Sequence, residues 1–189
     1  MQIPFYTNYD AIEFSKMNEE IFPSSPDKCP FKDCSLPVKL EKHGYYKRFF
    51  ISKNFTGVLY IRRYICHICG RTVSMLPYFC ISYFQYSALD ILNILYELYH
   101  SGISLEKLIK KTKKSLPFIQ RRHINFYRKR IIRNRKLIQY VLNLISPEFI
   151  FTGNIPENQV WVKAFLEIVY GLHAHVFLID FQNLQEKHL

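Results

Sequence analysis

No apolar stretch in the chain is long enough to span a membrane. The closest, Leu76 to Tyr99, is interrupted by Gln85, Asp90, Asn93 and Glu97, short of the roughly 18 apolar residues a span needs. The first twenty residues hold Asp10, Glu13, Glu19 and Glu20 and no hydrophobic run, so no secretory leader is read there. These absences predict a cytoplasmic protein with no membrane partner. Internal repeats and low-complexity segments are also missing. Acids are scarce: 15 Asp and Glu face 26 Lys and Arg, leaving a net charge of +11, which favours a polyanionic partner or an acidic surface. Disorder is excluded by the 49% of residues that are hydrophobic and the 16% that are aromatic.

A reducing compartment disfavours disulfides, and paired cysteines there more often bind metal. Four of the five cysteines fall in two short pairs, Cys29/Cys34 in CPFKDC and Cys66/Cys69 in CHIC. Gly70 directly follows the second pair, where a left-handed residue would free the knuckle backbone. Between the pairs lie two strand-like runs, His43 to Ile51 and Val58 to Ile65, separated by the Asn- and Gly-containing turn Ser52 to Gly57. A hairpin that brings two cysteine pairs together supplies a tetrahedral thiolate site. The sequence therefore predicts one structural Zn2+ held by Cys29, Cys34, Cys66 and Cys69. His67 lies inside a knuckle and is expected to point outward. Cys80 sits in the aromatic run PYFCISYF and is expected in the core.

Past the cysteines the pattern turns helical. Leu89, Leu92, Leu95, Tyr96 and Tyr99 recur at spacings of three and four. Gly102 is a stop signal, and Ser104 is an N-cap for a short helix from Leu105. A polar link leads to Ser115, a second N-cap candidate, with Pro117 in the first turn. A long basic helix is expected from Leu116 to about Ile145, with a break near Asn134. The expected fold is α+β, with a small β-hairpin zinc ribbon, then an α-helical helix-turn-helix region and a C-terminal helical tail. Residues 1–27 read as an irregular lead-in, 28–80 as the ribbon, 81–146 as the helix-turn-helix with its long basic helix, and 147–189 as a tail whose helix around Trp161 would dock on a recombinase subunit or a second copy.

Leu105 to Tyr140 contains thirteen Lys or Arg residues and one acid, Glu106, so this stretch accounts for the whole net charge. An AT-rich genome inflates lysine but not arginine. Such clustering is the footprint of a nucleic-acid site. In a helix-turn-helix the second helix enters the major groove by its N-terminal residues. Gln120 and Arg121 would then reach base edges, with Phe118 and Ile119 facing the core. Lys113, Lys114 and the cluster from Arg128 through Lys129 and Arg133 to Lys136 would hold the phosphates of double-stranded DNA, and Ser115 and Arg122 are counted with them as DNA-binding residues. His123 is expected to be a packed histidine. The hairpin residues Tyr45, Tyr46, Lys47, Arg48, Tyr60, Arg62, Arg63 and Tyr64 leave RNA or single-stranded nucleic acid as an alternative ligand, against a reading of the same rings as ribbon core.

CPFKDC, HGYYKR, IRRYICHICGRTVSMLPYF and YSALDILNILYEL together resemble the N-terminal zinc-ribbon and helix-turn-helix region of bacterial insertion-sequence transposases, over roughly residues 28–130. The likeness is greatest to short transposase-associated proteins that lack the nuclease domain. It implies zinc on the four paired cysteines and DNA reading from Ser115 onward, in a protein linked to a mobile element. The nuclease itself would need three carboxylates around two metal ions. The acids after the basic helix are Glu148, Glu157, Glu167, Asp180 and Glu186, and no strand series converges three of them. A non-catalytic protein is therefore expected.

Overall fold

The computed structural model describes residues 1–17, 19–34, 37–145 and 158–171. The chain is α+β and divides into two compact units, Met1–Gln85 and Tyr86–Leu189.

In the first unit, β-branched and aromatic residues build the hairpin. Strand β2 (Glu41–Ile51) runs antiparallel to β3 (Thr56–Ile65). Ser52 closes the turn: its Oγ accepts from the Phe55 N–H at 3.0 Å, and its N–H donates to the Phe55 carbonyl at 2.7 Å. The register slips between Lys42 and Tyr45, where Gly44 takes a φ of +73°; a glycine accommodates that bulge without a Cβ clash. Strand β4 (Thr72–Pro77) pairs antiparallel with β3, and β1 (Gln2–Phe5) pairs parallel with β4. The sheet order is β1-β4-β3-β2.

Residues 1–27 are thus not the irregular lead-in expected from their breakers. Strand β1 is short and holds Pro4, which an edge strand tolerates. Helix α1 (Ala11–Lys16) begins at a capping box. Asp10 Oδ1 accepts from the Ile12 and Glu13 N–H groups at 2.8 Å each, and the Glu13 carboxylate accepts from the Asp10 N–H at 3.0 Å.

Strand alternation sorts the sheet's side chains onto two faces, each carrying a buried cluster. Phe50, Leu59, Ile61 and Leu76 line one, packed with Phe14 of α1, Phe79 and Cys80. Tyr64, Val73 and Met75 line part of the other, packed with Cys29, Leu40 and Cys66. Buried Arg48 donates to the carbonyls of Ile81, at 2.6 Å, and Phe84, which fastens the segment after β4 to the sheet.

The second unit is helical among its described residues. Helix α2 (Ala88–His100) starts at Ser87, whose Oγ accepts from the Asp90 N–H at 3.4 Å, and stops at Gly102, φ +68°. Helix α3 (Leu105–Thr112) is capped by Ser104 as its sequence predicts. Helix α4 spans Arg121–Arg133 and α5 Arg135–Ile145, with the break at Asn134. Helix α6 spans Asn158–Gly171. Helices α2, α3 and α4 pack on one another, and α6 packs on α2 and α4.

Helix α4 does not begin at Leu116. Ser115 is not an N-cap: its Oγ donates to the Thr112 carbonyl at 3.3 Å and closes the end of α3. Pro117 disfavours helical backbone at Leu116. The link Lys113–Gln120 instead buries Leu116 and Ile119 completely, and Gln120 turns extended to start the helix. Phe118, expected in the core, is more than half exposed.

Candidate metal centre and basic helical face

The first knuckle is closed by the Cys34 N–H donating to the Phe31 carbonyl at 2.9 Å. The second is closed by the Gly70 N–H donating to the Cys66 carbonyl at 2.8 Å, with Gly70 at φ +69° as its position predicts. Strand β3 leads into Cys66 and β4 leads away soon after Cys69, so the sheet fixes this knuckle. Tyr64 Oη donates to the Pro23 carbonyl at 2.8 Å, and the Leu40 N–H to the Pro26 carbonyl at 3.3 Å. The first bond ties the N-terminal flank of the first knuckle to β3, and the second ties its two flanks to each other.

The four sulfurs of Cys29, Cys34, Cys66 and Cys69 lie within 4.8 Å of one another and form a group that could hold a metal ion. Cys29 Sγ is 3.7 Å from Cys69 Sγ, and Cys34 Sγ is 3.9 Å from Cys66 Sγ. A tetrahedron with metal–sulfur bonds of about 2.3 Å has edges of about 3.8 Å. The spacing therefore fits a single thiolate-bound ion. It is far too long for a disulfide, whose sulfurs stand about 2.05 Å apart. Cys29 and Cys66 are buried, and Cys34 and Cys69 half-buried.

Arg71 braces this centre. Its guanidinium donates to Asp33 Oδ1 at 2.6 Å and lies 4.0 Å from the centroid of the Phe31 ring. It also hydrogen-bonds Cys69 and holds that thiol down to about 6. Burial pushes the Cys29 thiol up to about 12. Asp33 is lowered by the Arg71 hydrogen bond. Four thiolates on a dication carry a net charge of −2, and the Arg71 cation offsets part of it. An all-sulfur donor set suits a soft or borderline ion and not magnesium or calcium. His67 is exposed, 3.9 Å from Glu41, and His43 is exposed. Cys80 is buried in the opposite core, where burial pushes its thiol up to about 12.

The basic residues are found on the second unit's surface. Lys113, Lys114 and Ser115 are exposed in the link, and exposed Gln120 is the N-cap of α4. Arg121 is engaged in an ion pair with Glu106 of α3, so its head is already held by a partner. Ile124 and Tyr127 point α4 into the core. Helical spacing places Arg122, Phe126, Lys129, Arg130 and Arg133 on the opposite side, and all five are exposed. Arg128 is half-buried, and Lys136 is exposed on α5. Sequence reasoning missed the exposed ring of Phe126, although its spacing of four from Arg122 and three from Lys129 marks it.

His123 is packed, as expected. Its Nδ1 accepts from the Gln120 N–H at 3.2 Å, and its ring stands 5.3 Å from that of Tyr86. Burial lowers its pKa, and Arg122 lowers it further. The tail helix around Trp161 also forms, and Trp161 itself faces the core of the second unit. It is fully buried, and its Nε1 donates to Gln139 Oε1 at 3.1 Å. Phe165, one turn on, stacks against it at 5.5 Å. Of the acids weighed for catalysis, Glu167 sits at the surface 3.0 Å from His100 Nε2. Glu148, Glu157, Asp180 and Glu186 lie outside the described residues. No helix among the described residues is long and apolar enough to cross a membrane.

No protein-family model matches the chain, and neither a curated protein nor a solved structure is significantly similar to it.

Proposed function

We propose that this chain is a zinc-stabilised, sequence-preferring duplex-DNA-binding protein, transposase-like but non-catalytic, and linked to a mobile element. The observation that carries the reading is the outer side of α4, where four exposed cations surround one exposed ring opposite the buried Ile124 and Tyr127. A solvated helix face normally mixes signs of charge; this one is cationic throughout. Phosphates would be held by Lys113, Lys114, Lys129, Arg133 and Lys136. Base edges would be read by Arg122, an arginine pairing bidentately with guanine, and thymine methyls by Phe126. Arg121 contributes less than its position suggests, because Glu106 engages it.

Zinc is the ion of choice for four thiolates at this spacing. With all four positions filled by sulfur it holds the fold and has no open position for chemistry. The test is selection of duplexes from a random pool by the zinc-loaded chain, followed by competition with single-stranded RNA. Enrichment of a short shared motif that RNA does not displace is the expected result. A pool without enrichment, or displacement by RNA at equal concentration, rejects sequence-preferring duplex binding.

A further inference from the structure

The second face of the first unit's sheet is covered over only part of its length. Near the metal centre Tyr64, Val73 and Met75 pack with Cys29 and Leu40. Next along, Arg62 is buried over the Tyr45 ring, its guanidinium 4.1 Å from the centroid, and Phe22 lies 5.9 Å from the same ring. Beyond that point the cover from the described residues ends. Phe49 is paired with Val58, and Lys47 with Tyr60. Phe49 is 42% exposed, Val58 40% and Tyr60 52%. Strand β2 is at the sheet edge, so this opening continues to the side of the sheet.

We infer that this open half-face, built by Phe49, Tyr60, Val58 and Lys47, is a binding surface for single-stranded nucleic acid. It is a second site, on a different unit from the basic helices, and does not depend on the duplex reading. Two aromatic rings and a valine on a sheet offer flat apolar surface, which unpaired bases cover by stacking. A duplex keeps its bases stacked inside, so it cannot use these rings without opening. Charge selects the partner. Between Glu41 and Ile65 the hairpin carries Lys42, Lys47, Lys53, Arg48, Arg62 and Arg63 against one acid, Glu41. Glu41 pairs with Ile65 at the metal end, away from the rings. A lysine set among the exposed rings matches a backbone phosphate, whereas a purely apolar partner would leave that cation desolvated.

The experiment measures affinity of the zinc-loaded full chain for labelled oligothymidine and oligouridine of about twelve residues, beside a duplex. Phe49→Ala and Tyr60→Ala should each weaken single-strand binding about tenfold or more and leave duplex binding unchanged. Tyr60→Phe should retain it. Arg133→Ala with Lys136→Ala should show the opposite selectivity, so the two sites fail separately. Equal response to thymidine and uridine strands identifies stacking alone; preference for uridine identifies RNA as the ligand at this same surface. Photocrosslinks from iodouracil in the strand should map to Tyr60 or Phe49. Single-strand affinity unchanged in both alanine variants, equal losses on duplex and single strand, or crosslinks confined to α4 would overturn the inference. So would a chain that dimerises through these residues, seen as a dimer lost in Phe49→Ala with no change in strand affinity.

Discussion

The two units solve opposite problems. The first draws four sulfurs together against their mutual repulsion, and everything near them is restrained: knuckle turns, the Arg71–Asp33 pair and the Tyr64–Pro23 bond. The second keeps like charges apart on the outside of a helical core and leaves α4's outer side open. A metal centre can be recognised by what converges on it. A nucleic-acid face is recognised by what does not, and so is argued from exposure and sign of charge.

Breaking the first unit should have the largest effect. Cys66→Ser leaves three thiolates for a tetrahedral ion. The parent should carry one zinc per chain, and the variant should lose it together with the near-ultraviolet signal of the hairpin tyrosines. The cost is on the order of several kcal/mol, since metal binding and folding are coupled. Full zinc content in that variant would remove Cys66 from the ligand set. Cys80→Ala should keep its zinc, because Cys80 belongs to the core on the other side of the sheet.

Next in size is Trp161→Ala in the second unit. The indole is fully buried, and truncation should cost about 3–5 kcal/mol through the cavity it leaves. Thermal unfolding of this variant should shift while its zinc content does not. A variant of unchanged stability would contradict the burial of the indole in the core of the second unit.

Smaller effects separate neighbouring arginines. Arg122→Ala should cost roughly 1–3 kcal/mol on a preferred duplex and little on a random one. Arg121→Ala should cost at most about 1 kcal/mol of stability, the usual ceiling for an exposed pair like Arg121–Glu106, and should leave discrimination intact. The reverse ranking, read from paired binding curves, would return the reading head to Arg121.

The smallest effect is on pH. His123 has a lowered pKa in the folded chain, so below its ordinary value near 6.5 the unfolded chain binds more protons. Its contribution is complete above that value and is lost as pH falls through the lowered folded pKa. Urea unfolding of the parent should weaken across this window. His123→Gln keeps an acceptor for the Gln120 N–H without a titrating ring and should flatten the slope there. An unchanged slope would assign it to other groups.

Much of this was legible in the sequence. Runs rich in Tyr, Phe, Ile and Val on either side of an Asn- and Gly-containing turn marked β2 and β3, and Gly70, Gly102, Ser104 and Asn134 sit at the turns, cap and break their chemistry implies. The cysteine spacing named the four sulfurs that converge. Strand β1 was hidden because four residues with a proline carry no period, and its pairing partner β4 is far along the chain. The start of α4 was misplaced because Ser-Leu-Pro looks like a helix entry, whereas tertiary burial of Leu116 and Ile119 decides the local path. That shift of register moved the outward face from Arg121 to Arg122 and Phe126.

In the proposed function, exposed cations of α4 and of the start of α5 hold duplex DNA. The direct measurement is duplex affinity across a salt series for the parent and for Arg133→Ala with Lys136→Ala. Each neutralised phosphate contributes about 0.9 to the slope of log affinity against log salt. The parent slope should be steep and should fall by about two units in the double variant, with equal loss on preferred and random duplexes. Duplex binding that is insensitive to salt, or a slope unchanged in the double variant, would contradict it.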